Sequence, residues 1–154
     1  MGFRFRFKSL LKKREYLLRE AQSALAASQL RQEEIRRKLH SAREKQQDAW
    51  LEWQKQQKEG MGAGYFVVHA RYLRSLEHQL LLMESELLEA AKEVERRQAA
   101  VLERDKDVKV LQKLEEKERS FYKGVQLKKE QNQLNEIAVF KDFRCRSSWK
   151  EKEV

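Results

Sequence analysis

The segment Gly60-Met61-Gly62-Ala63-Gly64 comes nearest in composition to a phosphate-binding loop. Such a loop cradles phosphates with its backbone N–H groups, but the motif also requires a Lys-Ser/Thr pair after the glycines and a strand before them. Here Tyr65 and Phe66 follow the glycines, and a helical pattern precedes them. Glycine reaches positive φ without steric cost, so the same cluster suits a turn. We therefore expect residues 60–65 to form a bend.

Side chains that could ligate a metal or catalyse a reaction are scattered along the chain. His40, His69 and His78 have no i,i+4 partner, and Cys145 is the only cysteine, so the spacing of a zinc site is missing. A single cysteine also fits a reducing compartment. Acidic residues are abundant, but long helices offer them no enclosed pocket that would shift their pKa values. We expect no metal, no cofactor and no enzymatic activity.

The composition is that of an extended helical protein. Of the 154 residues, 38% are charged and none is proline, and the mean hydropathy is −0.90, which leaves few side chains to bury. Disordered chains share these values, but sustained apolar periodicity argues against disorder. No apolar run approaches the ~20 residues of a membrane span, and the N-terminus lacks the apolar core of a signal peptide. We expect a cytosolic protein without membrane insertion.

The net charge of +9 indicates an acidic protein, an anionic lipid surface or a nucleic acid as partner. Residues 1–20 carry seven basic side chains against two acidic ones. Within them Phe3, Phe5 and Phe7 alternate with basic residues. Alternation indicates an extended arm that touches a partner or a membrane surface, but Phe3, Phe7 and Leu11 also fit the start of a helix packed on its partner. The residues leave both interpretations open.

Heptad repeats run through both halves of the chain. The positions before the bend are Leu11, Leu18, Leu25, Gln32, Leu39, Gln46 and Trp53, together with Arg14, Ala21, Ser28, Ile35, Ala42 and Ala49. The positions after it are Leu73, Leu76, Leu80, Met83, Leu87, Ala90, Val94, Arg97, Val101, Arg104, Val108 and Leu111. Repeats of this length predict a coiled coil. Beyond Leu111 the apolar residues keep helical spacing but leave the strict heptad, so we expect the phase to slip there. These residues are Leu114, Phe121, Val125, Leu134 and Ile137.

A short bend forces the two helices to run antiparallel. Two registers are reasonable, because Ala42 lies opposite either Leu80 or Leu87, and Ala49 opposite either Leu73 or Leu80. In both registers a small residue meets a large one, which permits close packing. We therefore predict an all-α fold, a long antiparallel two-helix coiled-coil hairpin, in a monomeric protein.

The two helices differ in length. We place helix 1 at about residues 7–59 and helix 2 at about residues 66–141, in a single coiled-coil domain of residues 1–154. At ~1.5 Å per residue, the C-terminal helix overhangs its partner by roughly 30 Å. The tail at residues 142–154 has lost the periodicity, and we expect it to fray.

Aromatic residues cluster on both sides of the bend, with Trp50 and Trp53 before it and Tyr65, Phe66 and Tyr72 after it. Of these, Trp53 is in phase with the seam, and two helices do not cover the rest. Aromatic side chains outside a core are candidate binding hot spots. The cluster is therefore either a plug that closes the hairpin or a partner-binding patch centred on Trp50 and Tyr72.

Several motifs, taken in order, resemble the FliJ family, small components of the bacterial flagellar type III export apparatus. The N-terminal motifs are Phe3-x-Phe5-x-Phe7 and Leu10-Leu11-x-x-Arg14-Glu15. The C-terminal motifs are Leu111-x-x-Leu114, Tyr122 and Glu130-Gln131-x-x-Leu134-Asn135-Glu136-Ile137-Ala138. Family members often carry Asp where Asn135 stands. The resemblance covers nearly the whole chain.

The resemblance implies a non-enzymatic export component, similar to the central stalk subunit of rotary ATPases. It implies binding to the export ATPase hexamer, promotion of ring assembly and activity, and contact with the membrane export gate and with export chaperones at the cytoplasmic face of the inner membrane. Residues near the bend are assigned to the gate: Trp50, Trp53, Tyr72 and Leu76. Residues of the terminal end are assigned to the ATPase ring: Glu130, Gln131, Leu134 and Ile137.

Three other kinds of protein share features with this chain. A stalk subunit of a rotary ATPase would need a globular α/β portion that this chain lacks. A component of a virulence type III secretion system is a further alternative, and only the resemblance to the flagellar family distinguishes the two systems. A nucleic-acid-binding coiled coil would use the charge of +9. However, acidic residues interleave the basic ones, and no aromatic–basic recognition module is present. We expect no nucleic acid partner.

Overall fold

Two long helices joined by a short bend make up the fold. The computed structural model describes the backbone of residues 2–150 and the side chains of residues 2–146. Helix α1 spans Lys8–Glu59 and helix α2 spans Ala63–Lys150. No strand occurs within residues 2–150, and the predicted all-α two-helix hairpin is confirmed.

The bend is shorter than the glycine cluster suggests. Gly60 follows the last residue of α1 and has a φ of 91°, a conformation that glycine adopts without steric cost. Helix α2 already begins at Ala63, and the N–H of Phe66 donates a hydrogen bond to the carbonyl of Gly62 at 3.0 Å. Gly64 and Tyr65 therefore belong to the first turn of α2. One glycine is enough to end α1.

Helix α2 extends beyond the point where its apolar periodicity is lost. The sequence places its end near Lys141, whereas the helix continues to Lys150. This segment contains no helix breaker, because the chain has no proline and no glycine follows Gly124. An i,i+4 ion pair of 3.4 Å between Asp142 and Arg146 also supports it. Apolar periodicity reports packing on a partner, so its loss does not end the helix. Residues 151–154 of the predicted frayed tail lie outside the described residues.

The chain divides into two compact units, each containing part of both helices. Unit 2 consists of residues 14–106, and unit 1 contains the residues before and after them. The expectation of a single domain remains a prediction.

Unit 2 is held together by the heptad seam. Its buried apolar side chains are Leu39, Trp53, Leu73, Leu76, Leu80, Ala90 and Val94. Each predicted seam position on α1 from Arg14 to Trp53 is at least partly covered, as are those on α2 from Leu73 to Val94. Arg97 departs from the pattern, since its side chain is exposed and pairs with Glu93 at 2.8 Å.

Contacts between the helices of unit 2 select one of the two predicted registers. The ring of Trp53 lies 4.8 Å from that of Phe66 and 5.8 Å from that of His69, centroid to centroid. Trp53 therefore lies opposite His69. Because the helices run antiparallel, Ala49, four residues earlier on α1, lies opposite Leu73, four residues later on α2, and in the same way Ala42 lies opposite Leu80. An ion pair of 2.8 Å between Arg43 and Glu84 joins the helices beside the seam.

In unit 1 the seam keeps its phase, so the predicted slip after Leu111 is wrong. The covered positions continue three and four apart: Val108, Leu111, Glu115, Glu118, Tyr122 and Val125. Leu114 and Phe121, whose positions suggested the slip, are exposed. The prediction followed apolar residues alone, whereas the half-buried Glu115 and Glu118 occupy positions of the repeat here.

The N-terminal segment is extended and also packs on α2 within unit 1. Residues 2–5 are not helical, yet Phe5 is buried. The ring of Phe3 lies 5.7 Å from that of Tyr122, and the Arg119 guanidinium lies 5.6 Å from the centre of the Phe3 ring, a cation–π distance. The two interpretations left open by the sequence thus each describe part of this segment.

Two glycine substitutions should change stability in opposite directions. Gly60→Ala places a side chain at positive φ and should lower the free energy of unfolding by about 1–2 kcal/mol. Gly124→Ala lies inside α2 with open space around it and should raise this free energy by about 0.5–1 kcal/mol. Urea denaturation followed by circular dichroism measures both, and equal effects of the two substitutions would contradict the assigned bend.

Candidate functional site

The surfaces able to bind a partner are apolar. Among the described residues, no group of three or more His, Cys, Asp and Glu side chains is arranged to hold a metal ion. Within the same part of the chain, no helix combines the length and apolar character needed to cross a membrane. Many large apolar side chains outside the seam are exposed, including several of those predicted to bind partners. The candidate site is therefore a set of interaction surfaces.

Two of the residues predicted to bind a partner near the bend lie in the core of unit 2. Trp53 is 7% exposed and Leu76 is 8% exposed. Trp53 packs on Phe66 and His69, and the ring of Tyr65 lies 4.7 Å from that of His69. This stack closes the seam beside the bend, as the plug interpretation expects of these residues. Trp53 and Leu76 thus present little surface to a partner.

Trp50 lies outside the core and lines a groove beside the seam. The groove measures about 570 Å³ and is lined by Arg43, Gln46, Gln47, Trp50, Leu73, Glu77, Leu80 and Glu84. Its two leucines are buried seam residues, while Trp50 is 51% exposed. The carboxylates of Glu77 and Glu84 also line it, the second paired with Arg43. We call this surface the Trp50 groove. An indole beside carboxylates suits a partner side chain with an apolar stem and a cationic end.

Tyr72 lies on a different flank of unit 2 from Trp50. It does not line the Trp50 groove, and it precedes Glu77 by five residues, which is about 140° around α2. Tyr72 is 50% exposed and continues a helical stripe with the exposed side chains of Tyr65 and Val68. The structure therefore does not bring Trp50 and Tyr72 into one patch. The heptad positions of the two residues, which can be read from the sequence, already place them on different flanks.

The predicted residues of the terminal end lie where α2 has no partner helix. Every side chain from residue 127 to residue 146 is exposed, and we call this segment the overhang. Four predicted residues fall within an arc of about 120° on one side of it: Glu130, Gln131, Leu134 and Ile137. Leu134 is 65% exposed and Ile137 is 53% exposed. These side chains form one continuous face, the Leu134 face, with apolar and polar residues side by side.

The overhang carries a second apolar surface that the sequence reasoning misses. Val139, Phe140 and Phe143 are exposed and, with Asn135 and Glu136, line a shallow groove of about 490 Å³. Phe143 follows Leu134 by nine residues, so it points about 180° away from it. We call Val139, Phe140 and Phe143 the Phe140 stripe. The spacing of three and four residues would reveal it, but Phe143 falls in the tail that is expected to fray, which separates it from Val139 and Phe140.

Electrostatic contacts beside the seam agree with the register. The Nζ of Lys38 lies 2.8 Å from a carboxylate oxygen of Glu34. This hydrogen-bonded ion pair lowers the pKa of Glu34 and raises the pKa of Lys38. The charge of Glu86, across the seam on α2, raises the pKa of Lys38 further. Both groups are exposed, so the pair supports the helix surface without creating a reactive group.

Comparison with known proteins identifies a family. The family model described as "Flagellar FliJ protein" matches residues 3–147. No curated protein and no solved structure matches the chain. The matched range includes the N-terminal aromatic segment, the Trp50 groove and the overhang.

The two tryptophans before the bend should differ sharply in their effect on stability. Trp53→Ala empties a core position and should lower the free energy of unfolding by about 3 kcal/mol. Trp50→Ala removes a half-exposed ring and should change it by less than about 0.5 kcal/mol. Urea denaturation of the two variants gives both values, and a large loss for Trp50→Ala would place Trp50 in the plug instead.

Proposed function

The chain belongs to the FliJ family of flagellar proteins, and we propose from that premise that it connects the flagellar export ATPase to the membrane export gate. Membership makes it a component of flagellar protein export. In the proposed role it binds the ATPase hexamer, promotes assembly and activity of the ring, and also contacts export chaperones. It does so without catalysis of its own, as a cytosolic monomer held at the inner membrane through its partners.

The observation that carries this proposal is that the seam leaves large apolar side chains exposed in both units. Unit 1 exposes the Leu134 face, and unit 2 exposes the Trp50 groove and Tyr72. Exposed aromatic rings do not stabilise a monomer that has no partners, whereas a protein that connects two partners requires a separate surface for each of them. We propose the ATPase and the gate as those partners because the resemblance to the family implies them.

We assign the ATPase ring to the Leu134 face of the overhang. A single helix exposed along its whole circumference can enter a space lined by other subunits. Leu134 and Ile137 supply apolar contact, while Glu130 and Gln131 supply hydrogen-bonding groups at its edge. This mixture resembles the core and rim of protein interfaces.

We assign the export gate to the surfaces beside the bend. Trp50 and Tyr72 make the contacts, and Trp53 and Leu76 hold the two helices in the register that presents them. Because Trp50 and Tyr72 lie on different flanks, a gate segment that touches both must pass around unit 2 rather than lie in one groove.

Removing the Leu134 face should abolish stimulation of the ATPase. Leu134→Ser with Ile137→Ser should reduce stimulated ATP hydrolysis at least about tenfold, because buried apolar contacts dominate interface energy. Leu30→Ser with Leu102→Ser is the matched control, since these leucines are equally exposed outside the overhang and should leave stimulation unchanged. Full stimulation by the overhang variant would exclude the Leu134 face as the ring-binding surface.

Single substitutions should weaken binding to the gate without unfolding the protein. Trp50→Ala and Tyr72→Ala should each raise the Kd for the isolated cytoplasmic part of the gate about tenfold or more, as expected of aromatic hot spots. Leu51→Ala is the control, since Leu51 is similarly exposed on α1 and lies outside the Trp50 groove. Calorimetric titration measures the Kd. If Trp50→Ala alone weakens binding, the gate uses one flank; if neither does, the assignment fails.

A further inference from the structure

Almost all of the net positive charge belongs to unit 1. The residues of unit 1 include seventeen basic side chains and nine acidic ones, whereas those of unit 2 include seventeen and sixteen. Unit 1 therefore carries +8 of the total charge of +9. In unit 2, charged side chains serve mainly as paired surface groups along the helices. The excess in unit 1 is large enough to attract an anionic surface.

The Phe140 stripe has the form of an interfacial helix face. Its three apolar side chains fall within an arc of about 100°, and Glu136 lies within the same arc. Arg146 and Arg144 lie at the two edges of this arc, about 20° beyond Val139 and 40° beyond Phe140, and Arg146 also forms the exposed ion pair with Asp142. Arginines in this position extend their charged ends toward phosphates while their stems remain beside apolar groups. Large aromatic residues flanked by basic ones are typical of helices that lie on membranes.

We propose that the Phe140 stripe and its flanking arginines bind the surface of an anionic lipid bilayer. The phenyl rings enter the boundary between headgroups and acyl chains, and the basic residues of unit 1 contact the lipid phosphates. The helix lies on the membrane and does not cross it. This contact goes beyond the proposed function, because it needs neither the ATPase nor the gate, and it uses the side of α2 that faces away from Leu134.

Charge separates this occupant from the alternatives. A second copy of the chain would bring two units of +8 together, which opposes association. A nucleic acid would use the basic side chains but would leave the stripe without an apolar environment unless bases stacked on it. A bilayer satisfies both features at once. Stable peripheral binding requires two signals, and this surface supplies an apolar stripe and a basic cluster together.

Vesicle sedimentation tests the proposal with the full-length protein alone. We expect it to partition at least about tenfold more strongly onto vesicles containing one third phosphatidylglycerol than onto phosphatidylcholine vesicles. Phe140→Ser with Phe143→Ser should reduce this partitioning at least about tenfold. Phe121→Ser is the matched control, because Phe121 is a similarly exposed phenylalanine of unit 1 outside the stripe, and it should reduce partitioning less than about threefold.

A second pair of variants tests the position of the charges. Arg144→Gln with Arg146→Gln should reduce partitioning at least about tenfold. Arg36→Gln with Arg37→Gln removes the same charge from exposed positions of unit 2 and should reduce it less than about threefold. Circular dichroism confirms that each variant remains helical.

Three results would overturn the proposal. If the protein does not bind phosphatidylglycerol vesicles, the partner of the stripe is a protein or a nucleic acid instead of a bilayer. Equal binding to both kinds of vesicle would remove the role of charge. If the arginine variant loses binding and the phenylalanine variant keeps it, the stripe has no role, and only general electrostatic attraction between unit 1 and a polyanion remains.

Discussion

A pair of helices can bury only one stripe of each partner, and this constraint governs the rest of the structure. The buried apolar side chains of the described residues are ten in number, and they lie on the seam or in the N-terminal segment that continues it. Trp53 and the alanines opposite leucines fix the register of unit 2, with Arg43 and Glu84 beside them. Apolar residues outside the seam remain exposed because two helices provide no second layer to cover them. The same geometry that stabilises the hairpin thus produces surfaces that require partners.

Much of the fold follows from the heptad pattern, and its failures have physical causes. The spacing from Leu11 to Leu111 predicts the seam because burial in a coiled coil repeats every three and four residues. The predicted slip after Leu111 is wrong because it considers apolar residues alone, whereas the half-buried Glu115 and Glu118 occupy positions of the repeat. The end of α2 is placed too early because helix continuity depends on the absence of breakers, not on a buried face.

The candidate surfaces are only partly readable from the sequence. Leu134 and Ile137 are recognisable through the family motif, and their exposure follows from the length difference between the helices. Trp50 and Tyr72 look like one cluster in the sequence because both lie near the bend. Their separation depends on positions around the helix, which nearness along the chain does not reveal. Trp53 and Leu76 are assigned to a partner through the resemblance, although their heptad positions already predict that they lie in the core, as the structure has them.

The overhang is an uncovered helix, and we propose that the export ATPase covers its Leu134 face. Its backbone hydrogen bonds lack protection from packing, so its amides should exchange with solvent far faster than those of the seam in unit 2. Hydrogen–deuterium exchange of the full-length protein, with and without the ATPase hexamer, tests this directly. We expect fast exchange at residues 127–146 in the free protein and strong protection of residues 127–138 in the complex. Protection confined to other segments, with the overhang unchanged, would contradict it.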